Sequence, residues 1–179
     1  MSLILITGGV RSGKSRFAEQ WAHELGGSIL YVATGKVYDQ EMEQRIQLHQ
    51  ERRPADWGLA ECPHHLDLVF QSTEGYEGIL IDCLSTWISN RLMEVPEERM
   101  RDEQVHLTLR EDLQRWVAAA KDLEIPVIVV TSEVGLGGVA MSRLGRWFQD
   151  ILGECNQWVA KEADEVYAVL SGIPWRIKG

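Results

Sequence analysis

Gly8-Gly9-Val10-Arg11-Ser12-Gly13-Lys14-Ser15, directly behind the apolar run Leu3-Ile4-Leu5-Ile6-Thr7, spells G-x-x-x-x-G-K-[ST] without a mismatch. The short run with β-branched members predicts a buried strand, and an amphipathic helix pattern starts as the motif ends. Gly8 and Gly13 let the backbone close around phosphate oxygens in torsions that a Cβ would forbid. The freed N–H groups and the positive end of the helix then converge on an anion. Lys14 supplies a mobile charge for β- and γ-phosphates, and the Ser15 hydroxyl suits Mg²⁺. A Gly-rich strand-to-helix turn with no ligand is the plain alternative. The strand and helix flanking the motif where it needs them favour a nucleoside triphosphate.

Outward from that stretch, Phe17, Trp21 and Leu25 recur at helical spacing, which predicts a helix over Lys14–Leu25 that lays this face on a sheet. Gly26-Gly27 ends it, and Ser28–Thr34 reads as a second buried strand. Strand, helix and strand within about thirty residues make a βαβ unit with a right-handed crossover. Ligands of such sheets collect at the carboxyl ends of the strands, so Ala33, Thr34 and Gly35 are expected beside the loop.

The 179 residues suit one domain spanning 1–179. A composition of 45% hydrophobic and 25% charged residues predicts a soluble globular chain. The net charge of −9 argues against a broad nucleic-acid or membrane surface, leaving the basic clusters for small anionic ligands. Cys62, Cys83 and Cys155 have neither metal nor redox spacing, and an odd count suits a reducing cytosol. No secretory leader is read ahead of the first strand, and the apolar run Ile125–Val130 is too short to cross a bilayer.

Asp39–Arg53 predicts a helix, with Asp39 as cap and Pro54 as stop. Met42, Ile46 and His49 share one face, so His49 reads as a half-buried histidine completing an apolar stripe. Its position leaving the nucleotide end of the second strand supports another reading. A neutral imidazole there can attack phosphorus, with Arg52 and Arg53 holding the charge that develops beside Gln50 and Glu51. Trp57–Cys62 predicts a short strand with Glu61 near its end. Gly78–Cys83 predicts a third core strand presenting Asp82 to hydrated Mg²⁺ beside the loop. A metal site at His64-His65 is disfavoured, because adjacent helical residues point apart.

Leu84–Leu92 predicts a helix with Asn90 on its surface or at a ligand, and Glu97–Asp122 one long charged helix. Ile125–Thr131 is the clearest parallel core strand. The loop Ser132–Gly138, rooted at Glu133, is expected to move over substrate. Met141–Ala160 predicts a further helix. Val166–Leu170 and Trp175–Lys178 predict an antiparallel hairpin about Gly172-Ile173-Pro174. The expected fold is α/β: a P-loop NTPase-type three-layer sandwich with a mostly parallel sheet and a C-terminal antiparallel hairpin.

The whole chain resembles the bifunctional adenosylcobinamide kinase/adenosylcobinamide-phosphate guanylyltransferases of cobalamin biosynthesis. Besides Thr7–Ser15, the resemblance is carried by Tyr31–Thr34, Glu41-Met42, Arg45–His49, Arg53-Pro54, Ala60–Cys62, Ile81–Leu84 and Asn90. It continues through Glu133–Gly137, Gly153, Asn156-Gln157, Ala163–Val166, Gly172–Pro174 and Ile177-Lys178. The resemblance implies that His49 becomes covalently guanylylated. It also implies that Gly8–Ser15, Ala33–Gly35, Gln50–Arg53, Glu61 and Asp82 contact the nucleotide. ATP or GTP would phosphorylate the aminopropanol hydroxyl of adenosylcobinamide, and GMP from GTP would then pass through His49 to the phosphate, giving adenosylcobinamide-GDP. A homo-oligomer, a trimer, is implied as well. The chain departs from the family pattern at Gly138-Val-Ala-Met-Ser-Arg143, where a segment resembling Ile-Val-Pro-Glu-Asn-Arg is expected, and at Leu48, which leaves one histidine as nucleophile.

Two rival readings stay open on the residues alone. One is a P-loop small-molecule kinase in which His49 is structural. The other is a GTP-dependent switch, which would need a base-reading N/T-K-x-D element that Thr131-Ser-Glu-Val does not supply.

Overall fold

β1 (Leu3–Gly8) runs through the interior with all six residues buried, as its continuous apolar run requires. The computed structural model describes residues 2–36, 54 and 56–179. The helix expected over Asp39–Arg53, with His49, Gln50, Glu51, Arg52 and Arg53, lies outside the described residues.

After β1 come α1 (Lys14–Glu24), β2 (Ile29–Ala33), β3 (Gly58–Glu61), the single turn α2 (Leu66–Val69) and β4 (Gly78–Asp82). Next are α3 (Leu84–Met93), a 3₁₀ turn at Glu97–Arg99, α4 (Glu103–Asp122) and β5 (Val127–Val130). A second 3₁₀ turn (Val134–Gly137), α5 (Arg143–Glu162), β6 (Glu165–Leu170) and β7 (Ile173–Lys178) complete the order. The strands form one sheet in the order β3-β2-β4-β5-β1-β6-β7. All pairs are parallel except β6 with β7.

Alternate residues of each strand face opposite sides, so one sheet divides the apolar side chains into two layers. Ile4, Ile6, Tyr31, Leu80, Ile128 and Val169 meet α1, with Ala18 and Ala22 fully buried and Phe17, Trp21 and Leu25 packed around them. Leu3, Leu5, Val32, Ile81 and Val129 meet α3, α4 and α5 through residues such as Trp87, Trp116 and Ile151. Helix, sheet and helix give the expected sandwich.

Four local expectations are corrected. Glu97–Asp122 is not one helix: the chain breaks at Arg101, whose φ is 69, and Asp102 caps α4 by accepting from the Gln104 amide at 2.8 Å. α5 starts at Arg143 rather than Met141, because Ser142 Oγ accepts from the Gly145 amide at 2.9 Å and fixes the cap. The hairpin turns on Ser171-Gly172, with φ 52 and 80 and Leu170 paired to Ile173. Two positive φ values match the twist of a tight hairpin, and Pro174 is tolerated because β7 is the edge strand. Asn90 is not on the surface: it is 1% exposed, and its Nδ2 donates to the Thr34 carbonyl at 2.7 Å and the Pro63 carbonyl at 3.2 Å.

Candidate active site

The sheet register gathers the chemistry at one rim. Glu61 pairs with Ala33, Ala33 with Asp82, Asp82 with Val130, and Val130 with Ile6, so these positions form one row across five strands. The motif loop leaves β1 two residues beyond that row. The loop folds on itself: the Ser12 amide donates to the Gly9 carbonyl at 3.2 Å. Lys14 Nζ also donates to the Gly9 carbonyl, at 3.1 Å. Gly13 caps α1 at φ 93, a conformation open to glycine and costly for other residues. A Cβ on Gly8 would stand 2.5 Å from Ser12 Oγ and 2.6 Å from the Val169 carbonyl oxygen, so only glycine fits. Ser12 Oγ is buried without a hydrogen-bond partner among the described residues. Val10 and Arg11 stand exposed, and Lys14 and Ser15 are half-buried at the start of α1. Gly9 has no neighbour within 4 Å of a would-be Cβ among the described residues.

Three neighbours hold the loop. Just after β5, the Glu133 amide donates to the Gly8 carbonyl at 3.1 Å; from the β6–β7 turn, the Gly172 amide donates to the Ser12 carbonyl at 2.7 Å. The third is a side-chain network: Thr7 Oγ1 donates to Glu133 Oε1 at 2.9 Å, Asn156 Nδ2 approaches the same oxygen at 3.3 Å, and Thr131 Oγ1 donates to Asn156 Oδ1 at 2.7 Å.

Across the rim, Asp82 is half-buried and its Oδ2 accepts from Tyr31 Oη at 2.8 Å. Thr34 is fully buried and clamps the next residue from both sides, Oγ1 donating to the Cys83 carbonyl and accepting from the Cys83 amide, each at 2.8 Å. Burial pushes the Cys83 thiol up, with the Asp82 charge adding to it. Gly35 is half-buried beyond Thr34, and Glu61 is exposed at the end of β3. His64 Nε2 lies 3.2 Å from Glu94 Oε1, which also takes Lys36 Nζ at 2.7 Å. Desolvation moves the His64 imidazole down against the pull of Glu94.

The structure thus sets Gly8–Ser15, Ala33–Gly35, Glu61 and Asp82 along one rim of the sheet, with Asp82 two strands and Glu61 four strands from β1, while His49 and Gln50–Arg53 lie outside the described residues. Thr7, Tyr31, Asn156 and the Ser171-Gly172 turn support the site without having been singled out as part of it, and Asn90, read as lying on the surface or at a ligand, braces the Thr34 carbonyl instead. A cleft of about 530 Å³ between α4 and α5, lined by His106, Glu154 and Trp158 among others, holds none of these residues. No helix among the described residues is long and apolar enough to cross a membrane.

A triphosphate-type loop behind β1, with an acidic strand end two strands away in a parallel sheet, defines a P-loop nucleotide-using α/β protein. The likeness to the RadB recombinase supports that fold: TM-score 0.51 at 16% identity, covering 93% of this chain and 73% of the other. Residues 4–177 match the family described as cobinamide kinase / cobinamide phosphate guanyltransferase, and the chain belongs to that family. It is 40% identical over 181 residues to the bifunctional adenosylcobalamin biosynthesis protein CobU of Salmonella typhimurium, covering 98% of this chain and 99% of that one. The CobU protein of Escherichia coli is 39% identical with the same coverage. CobP of Pseudomonas aeruginosa is 37% identical, covering 98% and 96%.

Proposed function

We propose that this chain, as one nucleotide-binding domain, carries out two transfers. It phosphorylates the aminopropanol hydroxyl of adenosylcobinamide with ATP or GTP. It then moves GMP from GTP, through a histidine-bound intermediate on His49, to adenosylcobinamide phosphate. The observation that carries the reading is a complete phosphate loop, backed by β5 and the β6–β7 turn, in a chain whose family match runs nearly end to end.

In the first transfer, loop amides and the Lys14 ammonium hold the transferring phosphoryl group; Lys14 must leave the Gly9 carbonyl to reach it. In the second, the neutral imidazole of His49 attacks the α-phosphorus, pyrophosphate leaves, and the substrate phosphate displaces histidine. Arg52 and Arg53 offset charge on the phosphorus centre, and Ala33–Gly35, Gln50, Glu51 and Glu61 contact the nucleotide. Ser15 and Asp82 fit Mg²⁺: a first-turn hydroxyl and a carboxylate whose Oδ2 is steadied by Tyr31 are hard oxygen donors. When bound, the ion neutralises charge on the phosphate oxygens.

A cytosolic homotrimer is part of the same reading. Ile173, Trp175 and Ile177, exposed along the edge strand β7, support association, and sedimentation as a 20.3 kDa monomer would refute it.

The test is intact-protein mass spectrometry after incubation with GTP and Mg²⁺. One GMP adduct is expected, mapped to His49 and missing from His49→Ala. A wild type that phosphorylates adenosylcobinamide yet never takes up GMP would leave a simple kinase.

A further inference from the structure

We propose that Glu133 accepts the proton of the acceptor hydroxyl during phosphoryl transfer, an assignment that rests on the kinase reading above. The carboxylates at this rim differ in their distance from the phosphate loop. In the order β3-β2-β4-β5-β1, Glu61 ends a strand four places from β1 and Asp82 one two places away. At about 4.8 Å per strand those are lateral offsets of roughly 19 and 10 Å. Glu133 leaves β5, the immediate neighbour of β1, and its own amide is bonded to the first carbonyl of the loop. Among the described residues, Glu133, Asp82 and Glu61 are the carboxylates set along this rim, and Glu133 follows the strand that pairs with β1.

Its side chain is held for use. Oε1 takes the Thr7 hydroxyl at 2.9 Å and faces Asn156 Nδ2 at 3.3 Å. Asn156, 5% exposed, is itself fixed by Thr131 Oγ1 at 2.7 Å and the Ser132 carbonyl at 3.0 Å. Two partners on one oxygen orient the carboxylate and leave Oε2 with no hydrogen bond among the described residues. The anchored oxygen fixes the carboxylate's direction, and the other stays open to solvent or to a ligand. Here one is anchored and the other is kept with its lone pairs on a half-buried group beside the loop.

The step balances. The acceptor oxygen forms a bond to the γ-phosphorus, and the bond from that phosphorus to the β,γ-bridging oxygen breaks. The nucleoside diphosphate leaves with that electron pair. The hydroxyl proton passes to Glu133 Oε2 and later to solvent.

Glu133→Gln tests it, because the amide oxygen still accepts from Thr7 and Asn156 while the basic oxygen is gone. The reading expects kcat/KM for adenosylcobinamide phosphorylation to fall on the order of 10²-fold, with affinity for a non-hydrolysable ATP analogue within about threefold of wild type. The acidic limb of the wild-type pH–rate profile should vanish. Wild-type turnover in Glu133→Gln, an acidic limb that survives, or nucleotide affinity lost in step with rate would each overturn the assignment, the last by showing a brace for the loop. If the Gln variant fails to fold, Glu133→Asp replaces it. That variant should keep the limb and run roughly tenfold slower, and a wild-type rate from it overturns the assignment equally. Wild-type protein that never phosphorylates adenosylcobinamide would instead sink the kinase reading itself.

Discussion

At the residue scale, the two motif-related glycines that open the loop have different jobs, and their substitution separates them. Gly8 faces inward: an added Cβ meets the Val169 carbonyl oxygen at 2.6 Å, a backbone atom that moves only if β1 and β6 part. The Ser12 hydroxyl on its other side can rotate away, so the carbonyl decides the cost. Gly8→Ala is expected to lose about 1–3 kcal/mol in urea denaturation. Gly9→Ala, with nothing within 4 Å among the described residues, should stay within about 0.5 kcal/mol of wild type. Equal stability of the two variants would show that Gly8 is not sterically required. Gly8, Gly13, Lys14 and Ser15 were legible because phosphate binding is a local backbone pattern. Asn90 was not: its partners, the Thr34 and Pro63 carbonyls, lie 56 and 27 residues away. Helical spacing reports which face a residue is on, and it carries no information about carbonyls that the fold delivers there.

Among the elements, α4 shows both what periodicity reveals and what it hides. Leu109, Leu113, Trp116 and Val117 form its buried stripe, as their spacing requires. The break before it was hidden because Glu97–Arg99 and Glu103 onward are equally charged and equally good helix formers; the cap at Asp102 decides the boundary. The Gln104 amide first, then the Arg99 guanidinium, holds the Asp102 carboxyl below its usual value. Unfolding removes both partners and returns the group to about 3.9, so the unfolded chain binds the proton at higher pH. The cap therefore stabilises fully above that value and fades as pH falls through the lower folded value. The melting temperature of wild type should exceed that of Asp102→Ala at pH 6, and the gap should close towards pH 3. A gap that widens on acidification would contradict the cap. Further along the same helix, Trp116 is 1% exposed, lies edge-on to Trp87 with centroids 6.5 Å apart, and has an indole N–H with no partner among the described residues. Trp116→Ala should cost about 3–5 kcal/mol, the cavity it leaves being large. Trp116→Phe keeps most of the apolar contact and removes an unpaired donor worth about 1–3 kcal/mol, so it is expected close to wild type. Similar losses in the two variants, measured by chemical denaturation, would mean the N–H is satisfied in solution.

For the whole molecule, strand order was the part that apolar runs could not reveal. β1 and β2 are consecutive in the chain yet are separated in the sheet by β5 and β4. Every central strand is a short Val/Ile/Leu run, so any two could pair equally well by composition; helix packing on both faces selects the order. That order makes nucleotide binding a property of the whole sheet, because the loop is held at once by β5 through Glu133 and by the β6–β7 turn through Gly172. A ligand that binds only when these strands are assembled stabilises the native chain by RT ln(1 + [L]/Kd), or about 2.7 kcal/mol at a hundredfold excess over Kd. For a chain of this size each kcal/mol moves the melting temperature by about 2–4 °C, so saturating GTP with Mg²⁺ should raise it by roughly 5–10 °C. Lys14→Ala should abolish most of that rise while leaving the melting temperature without nucleotide nearly unchanged, since the ammonium is bonded here to the Gly9 carbonyl of its own loop from a half-buried position. A thermal shift with GTP of the same size in Lys14→Ala as in wild type would place the nucleotide away from this loop, and with it the chemistry assigned to the rim.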